Sequence, residues 1–188
     1  LSEIMLQQTR VEAVKGYYAR FLAEIPTLPQ LAMADDELLH KLWEGLGYYS
    51  RARNLQKAAK LLVRVYGGEF PSDIESLKSL PGVGSYTAGA IASIAFGKRV
   101  AAVDGNVFRV ASRLEENPTP ISAPQYRRYL EENLSAVYPE SKKDCADFTQ
   151  SLFELGALIY KPRNPDCELC PLKTLSYSLL FIRVFFGF

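Results

Sequence analysis

Apolar residues recur at helical spacing along most of the chain. In the first 25 residues they include Ile4, Val11, Val14 and Phe21, which lie three or seven positions apart and would share one face of a helix. Glycine or proline ends such a pattern roughly every ten to twenty residues, and no segment shows the alternation typical of a strand. The pattern predicts an all-α protein with helices at Ser2–Ile25, 27–33, Glu37–Leu46, Ser50–Tyr66, 71–80, Tyr86–Ala95, Asn106–Leu114, Pro124–Tyr138 and Lys142–Tyr160.

Composition and charge limit the classes of function. With 188 residues, 48% of them hydrophobic and 23% charged, the chain resembles an ordinary globular protein of one or two domains. A net charge of +1 provides no global attraction to nucleic acid, so any such surface must be a local patch. Neither a long apolar run nor a signal peptide is found, which predicts a cytoplasmic protein without a membrane partner. Three cysteines, an odd number, indicate a reducing compartment rather than a disulfide scaffold.

The most specific segment is residues 80–89, Leu-Pro-Gly-Val-Gly-Ser-Tyr-Thr-Ala-Gly. Gly82 and Gly84 are free to take a positive φ and let a foreign backbone approach. The helix that follows offers unpaired amide groups and the positive end of its dipole, which together suit a phosphate. From this segment alone, an ordinary joint between two helices remains an alternative.

Two carboxylates lie close in sequence to polar neighbours. Glu3 and Gln7 would share a helix face, and Asp104 lies in the turn Val103-Asp-Gly-Asn106. Each has a purely structural alternative, because an acidic residue stabilises the start of a helix and aspartate often caps one. The residues alone therefore leave a structural and a catalytic role open for both.

Four segments together carry a resemblance to a known family: 1–8, 45–54, 80–89 and 103–107. In register from Leu1 to about Leu172, they resemble adenine DNA glycosylases of the MutY type, members of the helix–hairpin–helix superfamily of base-excision repair glycosylases. The resemblance implies that the chain is truncated at both ends. It also implies two helical lobes with a DNA-binding cleft: a six-helix lobe over 9–98, and a second lobe formed by 1–8 with 99–176.

The resemblance also implies roles for individual residues. Glu3 corresponds to the acid that protonates N7 of a flipped-out adenine, and Asp104 to the group that stabilises the cationic sugar. Tyr86 would lie beside these carboxylates, and Asn106 would hold Asp104 and water. Such chemistry needs one carboxyl group to keep its proton, so Glu3 is expected in a drier pocket than Asp104. The residues expected at DNA are Gln7, Gln8, Tyr48, Tyr49, Arg51, Pro81, Gly82, Val83, Gly84, Ser85 and Thr87, with a monovalent cation at the hairpin.

These roles predict hydrolysis of the N-glycosidic bond of adenine opposite 8-oxoguanine or guanine, by a monomer associated with the nucleoid. The related endonuclease III carries a lysine at the position of Tyr86, which forms a Schiff base and cuts the strand. The residue Tyr86 therefore favours a monofunctional enzyme over a bifunctional lyase. A DNA-binding paralogue or fragment without activity is the remaining alternative.

The sequence departs from the family at its iron–sulfur loop. Members usually hold a [4Fe–4S] cluster with cysteines spaced C-x6-C-x2-C-x5-C, and this chain has Tyr160, Cys167, Cys170 and Ser176 there. Two thiolates are an incomplete ligand set, so the cluster is expected to be absent or incomplete. The apolar residues 177–188 fit no element of the family and are expected to be an anomalous tail.

Overall fold

A computed structural model of the chain describes residues 1–120 and 123–173, and every regular element within these ranges is a helix. The predicted all-α fold is confirmed there. Ser176 and the predicted tail 177–188 lie outside the described residues. The helices are α1 (Ser2–Leu6), α2 (Val11–Glu24), α3 (Leu28–Met33), α4 (Asp36–Trp43), α5 (Ser50–Tyr66), α6 (Ile74–Lys78), α7 (Ser85–Ala90), α8 (Gly105–Leu114), α9 (Pro124–Val137) and α10 (Lys142–Leu158), with a π-helical turn at Ile91–Ala95 and a 3-10 helix at Cys167–Leu169.

Local capping sets most of these boundaries. Thr27 and Gln30 form a reciprocal capping box at the start of α3. Asp35 accepts a hydrogen bond of 2.6 Å from the amide of Leu38 and so caps α4. Gly67 ends α5 in the left-handed conformation that glycine adopts without strain. Side chains and glycines that are recognisable in the sequence therefore begin and end these helices.

The first predicted helix, Ser2–Ile25, is wrong in one respect because the chain breaks it into α1 and α2. Gln8 has a φ of 56°, and the amide of Thr9 bonds the carbonyl of Leu6 in a turn. The apolar periodicity continues across this turn because Met5 and Phe21 both enter one core. Because α1 and α2 bury their apolar residues in the same core, the sequence shows the pattern of one continuous helix.

The predicted helix Tyr86–Ala95 also changes its character along its length. It is α-helical only to Ala90 and continues as the π-helical turn, where the hydroxyl of Ser93 donates to the carbonyl of Gly89 at 2.8 Å. A side chain at Gly89 would come within 2.5 Å of the carbonyl oxygen of Ala101. The small residues of this helix therefore allow close packing against the segment that leads to Asp104.

The chain forms two compact units, residues 1–88 and the residues from 89 onward. In the first unit, α1 packs on α2 and α5, and α4 packs on α2 and α5. Trp43 is completely buried at its centre, meets Phe21 edge to face, and donates to the carbonyl of Gly47 at 3.0 Å. The predicted lobes, 9–98 and 1–8 with 99–176, stay a prediction.

The second unit is built on α10, which packs against α8 and the π-helical turn. Its core contains Val103, Leu130 and Cys145, all fully buried. Gly156 of α10 lies so close to α8 that a side chain there would come within 2.5 Å of Asn106. The start of α8 and the end of α10 are therefore fixed against each other. No helix in the described ranges is long and apolar enough to cross a membrane.

Candidate active site and nucleic-acid interface

The hairpin between α6 and α7 is a tight turn with an exposed tip. The amide of Val83 donates to the carbonyl of Leu80 at 3.0 Å, and Gly82 has a φ of 80°. A side chain at Gly82 would come within 2.9 Å of Asn54, so glycine is needed there for both reasons. Gly84, contrary to expectation, has no positive φ, and open space surrounds its missing side chain. Gly82, Gly84 and Ser85 are exposed, whereas Pro81 and Val83 are partly buried.

Gln7 joins the end of α1 to this hairpin. Its Nε2 donates to the carbonyl oxygen of Gly82 and to the hydroxyl of Thr87, both at 3.2 Å. Thr87 is only 3% exposed, so its side chain has no surface to offer DNA. The prediction that the side chain of Thr87 contacts DNA is therefore wrong, because that side chain is buried and binds Gln7.

Glu3 and Tyr86 meet within the first unit. The hydroxyl of Tyr86 donates to Oε2 of Glu3 at 3.3 Å, which brings the first turn of α1 to the first turn of α7. Ile4 and Met5, the next residues of α1, are buried and fix the helix on the core. Glu3 is half-buried, and so is Asp104 in the second unit. Both carboxylates are thus partly exposed, and the expected drier pocket of Glu3 stays a prediction.

The two neighbouring tyrosines of the loop between α4 and α5 have different environments. Tyr49 stacks on His40 with ring centroids 5.3 Å apart and packs against the core. Tyr48 is 59% exposed and has a φ of 47°, an unfavourable conformation for an aromatic residue. Gln8 is likewise exposed, with a φ of 56°. Of Gln8, Tyr48 and Tyr49, the first two therefore have side chains that are available to a partner.

Arg51, expected at DNA, is instead buried in the first unit with 6% exposure. Its Nη1 and Nη2 atoms donate only to main-chain carbonyl oxygens, so the predicted phosphate contact is corrected. The sequence does not distinguish the buried Arg51 from Arg53 and Lys57, which belong to the same basic helix and are exposed as expected. The acceptors are the carbonyl oxygens of Ile4, Met5, Gln7, Leu46 and Gly47.

Asp104 caps α8 with both of its carboxylate oxygens engaged. Oδ1 accepts from the amides of Asn106 and Val107, each at 2.8 Å, and Oδ2 accepts from the side-chain amide of Asn106 at 2.7 Å. These bonds fix the orientation of the carboxylate at the N-terminus of a helix, where a negative charge is favoured. The predicted contact between Asn106 and Asp104 is thus observed.

Arg109 extends this arrangement; from the sequence it is a candidate for a phosphate contact, and its contact with Asn106 was not predicted. Its Nη2 donates to Oδ1 of Asn106 at 2.6 Å and to the carbonyl of Gly156 at 2.9 Å, and its Nε donates to the carbonyl of Tyr160 at 2.8 Å. The spacing of three residues between Asn106 and Arg109 on one helix could have revealed the first contact. The end of α10 therefore fixes Arg109, Arg109 binds the side chain of Asn106, and Asn106 in turn orients the carboxylate of Asp104.

The segment after α10 that contains Cys167 and Cys170 forms a small apolar core. It corresponds to the place where the sequence resemblance puts the iron–sulfur ligands. Tyr160 and Cys170 are buried there with Val110, and the thiol of Cys170 donates to the hydroxyl of Tyr160 at 3.3 Å. The guanidinium of Arg113 lies 5.7 Å from the centre of the Tyr160 ring. Within residues 1–120 and 123–173, no three His, Cys, Asp or Glu side chains form a group that could hold a metal ion. Cys167 and Cys170 alone do not fit a cluster that requires four thiolates.

Comparison with known proteins places this geometry in a family. Residues 1–136 match the description "HhH-GPD superfamily base excision DNA repair protein". The chain belongs to the HhH-GPD superfamily. Among solved structures, this superfamily member is similar to a thermostable thymine-DNA glycosylase (TM-score 0.84, 30% identity, 96% of this chain and 82% of that one). It is also similar to endonuclease III in a non-covalent DNA complex (TM-score 0.78, 28% identity, 96% of this chain and 82% of that one).

Curated relatives of this HhH-GPD chain are adenine DNA glycosylases. The human protein is 45% identical over 179 residues, which cover 93% of this chain and 32% of the relative. The protein from Buchnera aphidicola subsp. Baizongia pistaciae is 38% identical over 192 residues, which cover 98% of this chain and 52% of the relative. The chain therefore spans between a third and a half of the length of these relatives.

Proposed function

We propose that the chain is a monofunctional adenine DNA glycosylase, which hydrolyses the N-glycosidic bond of adenine opposite 8-oxoguanine or guanine in duplex DNA. The observation that carries the proposal is the hydrogen bond from Tyr86 to Glu3, which holds a carboxyl group at the helix after the hairpin. Similarity to adenine DNA glycosylases over most of the chain supports adenine as the base. A monomeric state and a location at the nucleoid in the cytoplasm stay predictions.

The proposed reaction divides its work between two carboxyl groups. Protonated Glu3 donates its proton to N7 of an adenine flipped out of the duplex. The bond between N9 and C1′ breaks, its electron pair leaves with adenine, and positive charge develops on the sugar. The ionised carboxylate of Asp104 stabilises that charge, and water adds to C1′ and loses a proton to solvent. The products are adenine and an abasic site, as in other hydrolyses that use two carboxylates.

DNA binding is proposed at the exposed parts of the first unit. Gly82, Gly84 and Ser85 present a bare hairpin tip to a phosphate, with a monovalent cation there as a further prediction. Tyr48 and Gln8 are exposed side chains that suit insertion into the gap left by the flipped base. The solved complexes of endonuclease III with DNA, to which this chain is similar, support DNA as the partner.

The test of the reaction uses a duplex with adenine opposite 8-oxoguanine. We expect strand cleavage only after treatment with alkali, because Tyr86 supplies no amine that could form a Schiff base with the sugar. Borohydride should trap no covalent adduct, whereas endonuclease III on its own substrate should be trapped in parallel. Cleavage without alkali would favour the lyase, and no cleavage under either condition would favour a DNA-binding paralogue without activity.

We also propose that this chain folds without a [4Fe–4S] cluster. Support comes from the ligand set, because Tyr160 stands where the first cysteine would lie and packs against Cys170 in a small apolar core, and two cysteines are fewer than the four thiolates that such a cluster requires. Purified protein is expected to contain no stoichiometric iron and no absorbance band near roughly 400 nm. A chelator should leave the melting temperature unchanged. Four iron atoms per chain after anaerobic purification would contradict the proposal.

A further inference from the structure

Arg51 binds the end of α1 across the core of the first unit. Its Nη1 donates to the carbonyl oxygens of Met5 and Gln7, both at 2.6 Å, and to that of Ile4 at 3.2 Å. Helix α1 has only five residues and no basic residue in its last turn. Such a helix is unstable by itself, and its last carbonyl groups lack partners within the helix. Arg51 supplies both the missing donors and a positive charge at the negative end of the helix.

The same guanidinium also binds the loop between α4 and α5. Its Nη2 donates to the carbonyl oxygens of Leu46 at 3.3 Å and Gly47 at 3.2 Å, immediately before Tyr48. It lies 5.5 Å from the ring centre of Trp43 and 5.4 Å from that of Tyr48, within the range of a cation–π interaction. One side chain therefore connects the segment that carries Glu3 and Gln7 to the segment that carries Tyr48.

Burial of this charge is costly, which argues against a passive role. Removing a guanidinium from water disfavours its charged form, and burial accordingly lowers the pKa of Arg51. Its Nε is buried without a hydrogen-bond partner, so the contacts of this side chain are concentrated on its two terminal nitrogens. An apolar side chain could pack against Trp43 without these costs, but it could not bind the carbonyl groups of two segments.

We propose that Arg51 is a positioning residue that holds α1 and the loop of Tyr48 in one fixed arrangement and thereby sets the geometry of Glu3 for base release. The catalytic part of this inference, that Arg51 sets the geometry of Glu3, rests on the proposed function. The structural part, that Arg51 holds both segments, is independent of the reaction. The two parts can therefore be tested separately.

The structural part is tested by amide hydrogen exchange in Arg51→Met and Arg51→Lys. Arg64→Met serves as the matched control, since Arg64 is exposed in the last turn of the same helix. We expect exchange in segments 3–9 and 45–49 to accelerate at least tenfold in Arg51→Met, while the amides of α8 and α10 keep their protection. Arg51→Lys keeps the charge but loses the planar fork, so it should show a smaller acceleration.

Unchanged exchange in both segments would overturn the proposal, even if the global melting temperature falls. If Arg51→Met does not fold, Arg51→Lys decides the question by the same measure. Should the wild-type chain release no base, the proposed function fails. The exchange result then still supports or overturns the structural part by itself.

The catalytic part is tested by comparing the rate with the affinity. We expect the single-turnover rate of adenine release to fall about 100-fold in Arg51→Met, because a displacement of about 1 Å has that effect on a catalytic group. Affinity for a duplex with an abasic-site analogue should weaken less than tenfold, because Gly82, Gly84 and Ser85 of the hairpin tip stay exposed while the contacts of Gln7 and Tyr48 are loosened. Arg51→Lys should recover part of the rate. A rate that falls only in proportion to affinity, or that is unchanged, would overturn the positioning role.

Discussion

The Glu3→Gln variant is expected to lose adenine release almost completely while it retains DNA binding. Glutamine has the shape of glutamate and still offers an oxygen to the hydroxyl of Tyr86, so the contact of 3.3 Å should survive. It has no proton to give to the leaving base. Loss of a general acid typically costs 10²–10⁴-fold, and we expect a fall of about 10³-fold in the single-turnover rate.

The measurement is a single-turnover assay with enzyme in excess, accompanied by a binding isotherm on an abasic-site duplex. Glu12→Gln is the matched control, because Glu12 is 83% exposed in α2 and pairs with Lys15 at the surface. It should leave both rate and affinity unchanged, since such surface pairs contribute little. Near-normal excision by Glu3→Gln would exclude Glu3 as the acid.

The second large effect is expected for Asp104→Asn. Asparagine caps a helix about as well as aspartate, so the bonds from the amides of Asn106 and Val107 to Oδ1 should persist, whereas the bond from the side-chain amide of Asn106 to Oδ2 is lost. The negative charge that would stabilise the cationic sugar is removed. Loss of one such electrostatic contact typically costs 10²–10³-fold, and we expect a rate reduction of about that size with a melting temperature lowered by only about 2–4 °C, the usual effect of about 1 kcal/mol.

Asp35→Asn provides the control for this variant. Asp35 also caps a helix and accepts from the amide of Leu38, but it has no proposed role in the reaction. Both variants should stay folded, with melting temperatures within a few degrees of the wild type, and only Asp104→Asn should lose its rate. A normal rate in Asp104→Asn, or a rate that falls only because the protein unfolds, would show that Asp104 is a helix cap and nothing more.

Local rules made much of the fold predictable. Thr27, Asp35 and Gly67 each act on groups within a few residues, so their capping roles follow from neighbouring sequence. The hairpin was recognisable for the same reason, because Gly82 must satisfy a tight turn. The π-helical turn after Ala90 escaped prediction, since no residue type marks such a turn and packing against 101–102 accompanies it.

For the candidate site, the sequence predicts neighbours that the structure brings together, with hydrogen bonds from Tyr86 to Glu3 and from Asn106 to Asp104. The catalytic roles of these residues stay predictions. Tyr48 and Tyr49 could not be separated, because they are identical neighbours in sequence, and only the folded chain stacks Tyr49 on His40 and leaves Tyr48 exposed. Exposure is a property of the folded surface, which adjacent positions do not reveal.

The sequence by itself determined the helical class, most helix boundaries and the hairpin, because short-range spacing and residue chemistry suffice for these. Only the tertiary structure decided what Arg51 and Thr87 do. The partners of Arg51 in α1 and the turn after it lie 44 to 47 residues away along the chain. The partner of Thr87, Gln7, lies 80 residues away. A basic residue on an amphipathic helix has the same sequence signature whether it faces a phosphate or a buried carbonyl, and the difference arises only when distant segments pack together.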